Sequence, residues 1–302
     1  MAKLIQWFPG HMKKAMRDME EKRALCDGVI CVLDSRAPIA TYNPKLPEIF
    51  AGKPVLYVLN KSDLSDGKSE KFAAMIEAQG KPCVAISAVN GASRRVLEKR
   101  LQILTKEKRE RAESKGVTRR FRYTVVGIPN TGKSTVVNLL GGAKRAKTGD
   151  IAGVTRDVRW IKCADFDLLD TPGTMPPSCK TQYLARHLAY IGSLNDDILD
   201  IADVALELLK ELKANYPAAL QERYGIDCGG NNAETDKTAD EEERTREAVE
   251  MLETACRRRG FILRGGEFDY ERGARAVIDD FRKGRLGKIC LENPSDFADM
   301  KF

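Results

Sequence analysis

The stretch Gly127-Ile-Pro-Asn-Thr-Gly-Lys-Ser134 fits the phosphate-loop pattern G-x-x-x-x-G-K-[ST]. An apolar run at residues 123–126 leads into it and a helix-compatible run at residues 135–140 follows. In a strand–loop–helix of this kind, backbone N–H groups point at phosphate oxygens and the helix adds the positive end of its dipole. The stretch therefore predicts a nucleoside triphosphate site on an α/β sheet. The alternative is a glycine-rich turn that happens to hold a lysine.

Each polar position of this loop has an expected role. Lys133 can reach the β- and γ-phosphates, and the Ser134 hydroxyl can bind Mg²⁺. The side-chain oxygen of Asn130 is placed to help bind a monovalent cation, K⁺ in similar P-N-x-G-K-S loops, although an asparagine that only caps the turn fits as well. The predicted phosphate-binding residues are Pro129, Asn130, Thr131, Gly132, Lys133, Ser134, Thr135 and, from a later motif, Gly173.

Other apolar runs surround this unit. Residues 28–33, 54–59 and 83–86 are short and fully apolar, and helical patterns alternate with them. Such runs indicate a doubly wound, mostly parallel sheet covered on both faces. Residues 158–163 and 166–169 are typical of a β-hairpin. Because parallel sheets bind ligands beyond the carboxyl ends of their strands, the motifs that follow these runs are expected to meet at one edge.

The tetrapeptide Asn60-Lys-Ser-Asp63 fits N-K-x-D, which reads guanine. An Asp63 carboxylate can accept from both the ring N–H and the exocyclic amine of guanine, a pair of donors that adenine lacks. Asn60 can bond the acceptor side of the base, and the stem of Lys61 can pack along the ring. Ser87 and Ala88 fit the short box that supports the base through backbone N–H. Alone, the tetrapeptide is also compatible with a simple strand-end turn.

Asp170-Thr-Pro-Gly173 fits D-x-x-G, which holds Mg²⁺ through water and senses the γ-phosphate. Thr155 is the candidate switch threonine that completes the Mg²⁺ shell. Signalling GTPases carry a water-orienting glutamine after D-x-x-G, where this chain has Thr174. His11, one of two histidines, is therefore a candidate to position the water, with RNA contact or helix capping as the alternative. The predicted catalytic residues are His11, Lys133 and Thr155, and the predicted Mg²⁺ ligands are Ser134, Thr155 and Asp170.

The order of the boxes is informative. In ordinary GTPases the phosphate loop comes first, whereas here N-K-x-D and S-A precede it. A circular permutation explains this order, because domain termini usually lie close together at the surface. With Trp7-Phe-Pro-Gly-His-Met12, Asp34-Ser-Arg-Ala-Pro38 and Gly265-Gly-Glu-Phe-Asp-Tyr270, the chain resembles the circularly permuted ribosome-biogenesis GTPases of the RbgA/YlqF group over nearly its whole length. The resemblance implies GTP hydrolysis in late assembly of the large ribosomal subunit, and it also points to His11 as catalytic.

The charge distribution supports a polyanionic partner. The net charge of +7 is concentrated in residues 106–122 and 257–288, with an acidic stretch between them at residues 234–253. We therefore predict a GTPase domain at residues 1–180, with a helical lead-in at 1–26, and a helical domain at 181–302 that binds RNA or the ribosome. A polar loop at 228–240 interrupts this second domain.

Two other functions remain open at this point. One is a GTP-gated adaptor for a protein partner, with little turnover. The other is a potassium-dependent GTPase in tRNA modification, against which the permuted order argues. The chain has no apolar run long enough to span a membrane and no visible secretory signal, and its eight cysteines are scattered without a C-x-x-C pair. These features predict a cytoplasmic protein with reduced cysteines.

Overall fold

The structure is a computed structural model that describes residues 10–142, 158–176, 179, 181–228, 240–298 and 300–302, with only the backbone described for residues 10–13. The chain divides into two compact units. The first runs to Leu188 and also takes in Gly192–Leu194 and Cys290–Phe302, and the second contains Ala189–Ile191 and Asn195–Ile289. The first unit therefore extends past the expected boundary at residue 180 and includes the C-terminal segment.

The first unit is built on a sheet that has six strands in the described residues: β1 (Gly28–Asp34), β2 (Val55–Asn60), β3 (Cys83–Ala85), β4 (Phe121–Val126), β5 (Arg159–Lys162) and β6 (Phe166–Asp170). Their order across the sheet is β3-β2-β1-β4-β6-β5. Five strands are parallel, and β5, the first arm of the predicted hairpin, runs antiparallel to β6. The doubly wound, mostly parallel sheet predicted from the sequence is confirmed.

The strand order explains where a ligand site forms. The chain winds outward from β1 through β2 to β3, then returns to place β4 on the other side of β1. The crevice beyond the carboxyl ends of β1 and β4 is therefore a topological switch point, the usual place for a ligand in such sheets. β1 and β6 flank β4, so their last residues, Asp34 and Asp170, lie on either side of the phosphate loop.

Helices of the first unit cover the sheet. They are α1 (Gly10–Lys22), α2 (Lys45–Ile49), α3 (Lys68–Ala78), α4 (Ser93–Leu104), α5 (Lys106–Glu113), α6 (Lys133–Gly141) and α7 (Gln182–Tyr190), whose last two residues count with the second unit. α4 and α5 are separated at Thr105, whose hydroxyl donates to the carbonyl of Leu101 and is hydrogen-bonded to the hydroxyl of Tyr123. Apolar side chains of α4 and α6 pack with Ile30, Val58 and Val125 in one core.

The second unit contains α8 (Ile201–Asn215), α9 (Pro217–Tyr224), α10 (Glu241–Arg259) and α11 (Tyr270–Arg282). Asp200 caps α8 and Asp269 caps α11 through their side chains. α10 begins with three glutamates and ends with three arginines, which complements its dipole. α10 and α11 approach closely at Gly273, where a Cβ would lie 2.2 Å from Cys256 Sγ. The predicted helical character of this part of the chain is confirmed.

Among the residues that the structure describes, no helix is both long and apolar enough to cross a membrane. All eight cysteines belong to the described part of the chain, and none of them is in a disulfide bond.

Candidate functional site

The phosphate loop requires glycine at two positions. Gly127 has φ +151°, and a Cβ there would lie 2.4 Å from the carbonyl oxygen of Val32 on β1. Gly132 has φ +86° and precedes α6, and a Cβ there would lie 2.2 Å from Asn60 Nδ2. Any side chain at either place would push β1 or the N-K-x-D box away from the loop. The two glycines therefore let the phosphate loop lie against both β1 and the N-K-x-D box.

Lys133, the first residue of α6, lies inside the loop. Its Nζ donates to the carbonyl of Ile128 over 2.7 Å. Burial lowers the pKa of Lys133 to about 8, against the opposing charge of Asp170. Gly173 of D-x-x-G lies against the same loop, because a Cβ on it would be 2.7 Å from Pro129 N and 3.0 Å from Lys133 Nζ. The phosphate-binding lysine and the backbone of D-x-x-G are thus neighbours.

Asp170 is a buried carboxylate without hydrogen bonds. Neither of its oxygens has a hydrogen-bond partner among the residues that the structure describes, and the side chain is fully buried. Burial raises the pKa of Asp170, opposed by the charges of Lys133 and of Arg159, whose Nε is 3.8 Å away. Oxygen atoms held in this way fit Mg²⁺, which prefers one or two carboxylates together with water and phosphate oxygens. Ser134, next to Lys133 at the start of α6, stays the predicted source of a hydroxyl ligand.

The guanine-reading boxes are joined to the phosphate loop by hydrogen bonds. Asn60 Nδ2 donates to the carbonyl of Thr131 over 3.0 Å, and Asn60 Oδ1 accepts from the N–H of Ala88 over 3.0 Å. Lys61 Nζ donates to the carbonyl of Asn130 over 2.6 Å. Ser87, which precedes Ala88, accepts at its carbonyl a hydrogen bond from Ser93 Oγ at the start of α4. One asparagine therefore sets the spacing between the phosphate loop and the S-A box.

Asp63 lies in a short 3₁₀ turn after Lys61 and is exposed. Lys61 itself has φ +62°, an uncommon conformation for a residue other than glycine. The left-handed residue turns the chain sharply after β2. Asp63 is thus left open to a ligand while Asn60 stays buried.

Thr174 is fully buried, and its backbone is held at both ends. Its N–H donates to the carbonyl of Gly127 over 3.3 Å, and its carbonyl accepts from Asn43 Nδ2 over 3.0 Å. The residue that replaces the glutamine of signalling GTPases is therefore packed inside the unit. Thr155 lies outside the described residues, and His11 is placed in the first turn of α1 without a described side chain. Their catalytic roles stay predictions.

Two buried acidic residues were missed by the sequence reasoning. Asp34 binds Arg36 and Lys61, and a charged residue directly after an apolar strand was the available signal. Glu292 accepts from the N–H groups of Ile39 over 2.6 Å and Ala40 over 3.0 Å, and it lies 3.1 Å from His187 Nδ1. No local pattern marks Glu292, because its partners are far away in the chain.

Several basic residues of the second unit are paired with acidic residues. Asp280 is fully buried and accepts from Arg223, Arg259 and Arg285. Arg282 is likewise engaged, by Asp196 and by backbone carbonyls. These arginines help to hold the helices of the unit together. Arg257, Arg258 and Arg259, at the end of α10, are exposed.

A family model described as 50S ribosome-binding GTPase matches residues 122–226. A ribosome biogenesis GTPase A of Bacillus cereus is 37% identical over 98% of this chain and 96% of its own length. The corresponding protein of Thermotoga maritima is 28% identical over 97% of this chain and 96% of its own length.

Solved structures agree. A GDP-bound YlqF structure superposes with a TM-score of 0.62 and 26% identity, covering 93% of this chain and 100% of the other. A GNP-bound YlqF from T. maritima gives a TM-score of 0.63 at 25% identity, covering 93% of this chain and 98% of the other. Fold and site together define a circularly permuted GTPase that hydrolyses GTP. The chain belongs to the ribosome biogenesis GTPase A family.

Proposed function

We propose that this GTPase is a cytoplasmic assembly factor for the large ribosomal subunit, which binds a precursor particle in the GTP state and leaves it after hydrolysis. GTP binding is supported by the hydrogen bonds that join Asn60 both to the phosphate loop and to Ala88. A ribosomal particle as the partner is supported by the names of the relatives, by the 50S ribosome-binding description of the matching family, and by the basic stretches.

The phosphates of GTP are proposed to lie along the loop at the start of α6. Backbone N–H groups of the loop and of Gly173 bind phosphate oxygens, and Lys133 exchanges its bond to the Ile128 carbonyl for the β- and γ-phosphates. Ser134 and Asp170, with Thr155, are the proposed Mg²⁺ ligands. When bound, Mg²⁺ neutralises phosphate charge. The binding residues are those of the sequence prediction: Pro129, Asn130, Thr131, Gly132, Lys133, Ser134, Thr135 and Gly173.

The base is proposed to lie between Lys61 and the S-A box. The exposed carboxylate of Asp63 accepts hydrogen bonds from the ring N–H and the exocyclic amine of guanine, and the backbone at Ser87 and Ala88 supports the base from the other side. A site that pairs a carboxylate with two donors rejects a base lacking them by a wide margin. Asp63→Asn should therefore exchange the preference for guanosine nucleotides for xanthosine nucleotides. Equal affinity of the unmodified protein for ATP and GTP would contradict the proposal.

Hydrolysis is proposed to use His11 to position the water and Asn130 to help bind K⁺. The buried, anchored Thr174 supports a water-positioning residue from elsewhere in the chain. His11→Ala should lower turnover at nearly unchanged GTP affinity. Identical hydrolysis rates in KCl and NaCl would remove the K⁺ role.

Co-sedimentation with large-subunit precursors tests the assembly role. We expect binding with a non-hydrolysable GTP analogue, little binding with GDP, and loss of binding as salt rises, because contacts with RNA phosphates release counterions. Arg257→Glu with Arg258→Glu should weaken this binding without altering intrinsic hydrolysis, whereas Arg95→Glu, an exposed change on α4, serves as a charge control. Binding that does not depend on nucleotide would exclude the switch but not the GTPase.

A further inference from the structure

The carboxylate of Asp34 lies between β1 and the N-K-x-D box. Asp34 ends β1, and the sheet register places it beside Asn60 at the end of β2. It is fully buried. Arg36 donates to Oδ1 from its backbone N–H and from Nε, each over 3.0 Å, and to Oδ2 from Nη2 over 2.8 Å. Lys61 Nζ lies 2.9 Å from the same Oδ2.

Lys61 is therefore held at its charged end by two partners. Besides Asp34, its Nζ donates to the carbonyl of Asn130 in the phosphate loop. Its backbone is in the left-handed conformation, and its side chain is only 21% exposed. Both the backbone and the ammonium group of this lysine are thus fixed, which leaves the methylene stem in one place.

We propose that Asp34 is a positioning residue of the nucleotide site, which fixes Lys61 so that its stem forms a ready-made surface for the guanine ring. This inference rests on the proposed guanine box. Asp34 acts through Lys61 and does not touch the nucleotide itself. Arg36 has a supporting part: it satisfies the remaining acceptor positions of the carboxylate, so that the charge can stay buried beside the lysine.

The physical reason is preorganisation. A lysine side chain has many rotamers, and a site that orders it before the ligand arrives does not lose that freedom on binding. A hydrogen bond between an ammonium group and a carboxylate is stronger than one between neutral groups. An amide in place of Asp34 would remove the negative charge that holds Lys61 Nζ, and ordering the lysine would then reduce the affinity for nucleotide.

A double-mutant cycle of Asp34→Asn and Lys61→Met tests the proposal. Dissociation constants for GTP and GDP are measured by titration, and kcat at saturating GTP is measured alongside. We expect each single variant to weaken the binding of both nucleotides about tenfold, and the double variant to bind no more weakly than Lys61→Met. In Asp34→Asn the loss should appear in KM more than in kcat. Additive losses in the double variant, or unchanged affinity in Asp34→Asn, would overturn the proposal.

A second comparison protects the test against misfolding. Asp34→Asn removes the counter-charge of the buried Arg36, so the same cycle is run with Arg36→Met as the starting protein, in which the Asp34–Lys61 pair is kept. Adding Asp34→Asn to Arg36→Met should again cost about tenfold in affinity. Thr41→Val is the matched control, since it removes the acceptor for the Asp34 N–H and leaves the carboxylate in place. It should reduce stability without changing either dissociation constant, and a tenfold loss here would count against a specific role for the carboxylate.

The proposed guanine box can fail separately. If Asp63→Asn does not change the nucleotide preference, the box is wrong and the role of Asp34 falls with it. If Asp63→Asn shifts the preference but the Asp34–Lys61 cycle is additive, only the inference about Asp34 fails.

Discussion

Asp34 and Asp170 end the two strands that flank β4, but the groups around their carboxylates differ. Both carboxylates are fully buried. Asp34 is surrounded by the donors of Arg36 and Lys61, whereas Asp170 accepts no hydrogen bond from any residue in the described ranges. The same residue type, at equivalent strand ends on either side of the phosphate loop, thus occurs once with close hydrogen-bonding side chains and once with only longer-range charges around it.

The electrostatics follow this difference. Burial alone would raise the pKa of Asp34, but the charges of Arg36 and Lys61 outweigh it and hold the pKa below its ordinary value. Burial raises the pKa of Asp170, and the charges of Lys133 and Arg159 do not cancel the effect. A buried carboxylate with its own counter-charges stabilises the fold, while one without hydrogen bonds is suited to a cation that arrives with the substrate.

The largest expected effect is on the stability of Asp34→Asn. The change leaves the guanidinium of Arg36 buried without its counter-charge, which typically costs about 3–5 kcal/mol in the free energy of unfolding. Urea denaturation of the nucleotide-free protein measures it. Combining the change with Arg36→Met should recover most of the loss. If Asp34→Asn is as stable as the parent protein, the carboxylate of Asp34 does not stabilise the fold.

Asp170→Asn should show the reverse pattern. We expect Mg²⁺-dependent turnover to fall by about 10²–10³-fold, since one ligand for the transition-state charge is lost. The nucleotide-free protein should unfold at no lower urea concentration than the parent, because the change removes a buried charge that has no hydrogen bonds. A loss of stability like that of Asp34→Asn would show that the two carboxylates do not differ.

Glu292 extends the comparison to a third buried carboxylate. It resembles Asp34, because it is saturated by the N–H groups of Ile39 and Ala40 and by His187. Glu292→Gln should therefore lower the free energy of unfolding by about 1.5–3 kcal/mol and leave GTP affinity unchanged. Glu48→Gln, in an exposed pair with Lys45, is the control and should cost less than about 1 kcal/mol.

The smallest expected effect is on how the free energy of unfolding changes with pH, through the carboxylate of Asp34. The pKa of Asp34 is lower in the folded chain than in the unfolded one, so its contribution to stability is present above the unfolded value of about 3.9 and is lost as the pH falls below it. Urea midpoints of the nucleotide-free protein at pH 6 and at lower pH measure the slope. Asp34→Asn should have a shallower acid slope than the parent protein, and equal slopes would contradict the assignment.

Much of the nucleotide site could be predicted because its signals are local. The phosphate loop, N-K-x-D and D-x-x-G are contiguous in sequence and each follows an apolar strand, so the sheet edge brings them together without further information. The ion pairs of the second unit could not be predicted in this way. Arg259 binds the buried Asp280 from 21 residues away, and Arg282 binds Asp196 from 86 residues away.

By itself, the sequence determined the alternation of strands and helices, the permuted order of the boxes, and the class of nucleotide, because each depends on neighbouring residues or on strand-end position. Only the tertiary structure decided which charges are paired. Asp34 meets Lys61 through the register of β1 against β2, and Glu292 meets Ile39 across nearly the whole chain. Pairing over such distances depends on topology and on the cost of leaving a buried charge unpaired, neither of which a local pattern carries.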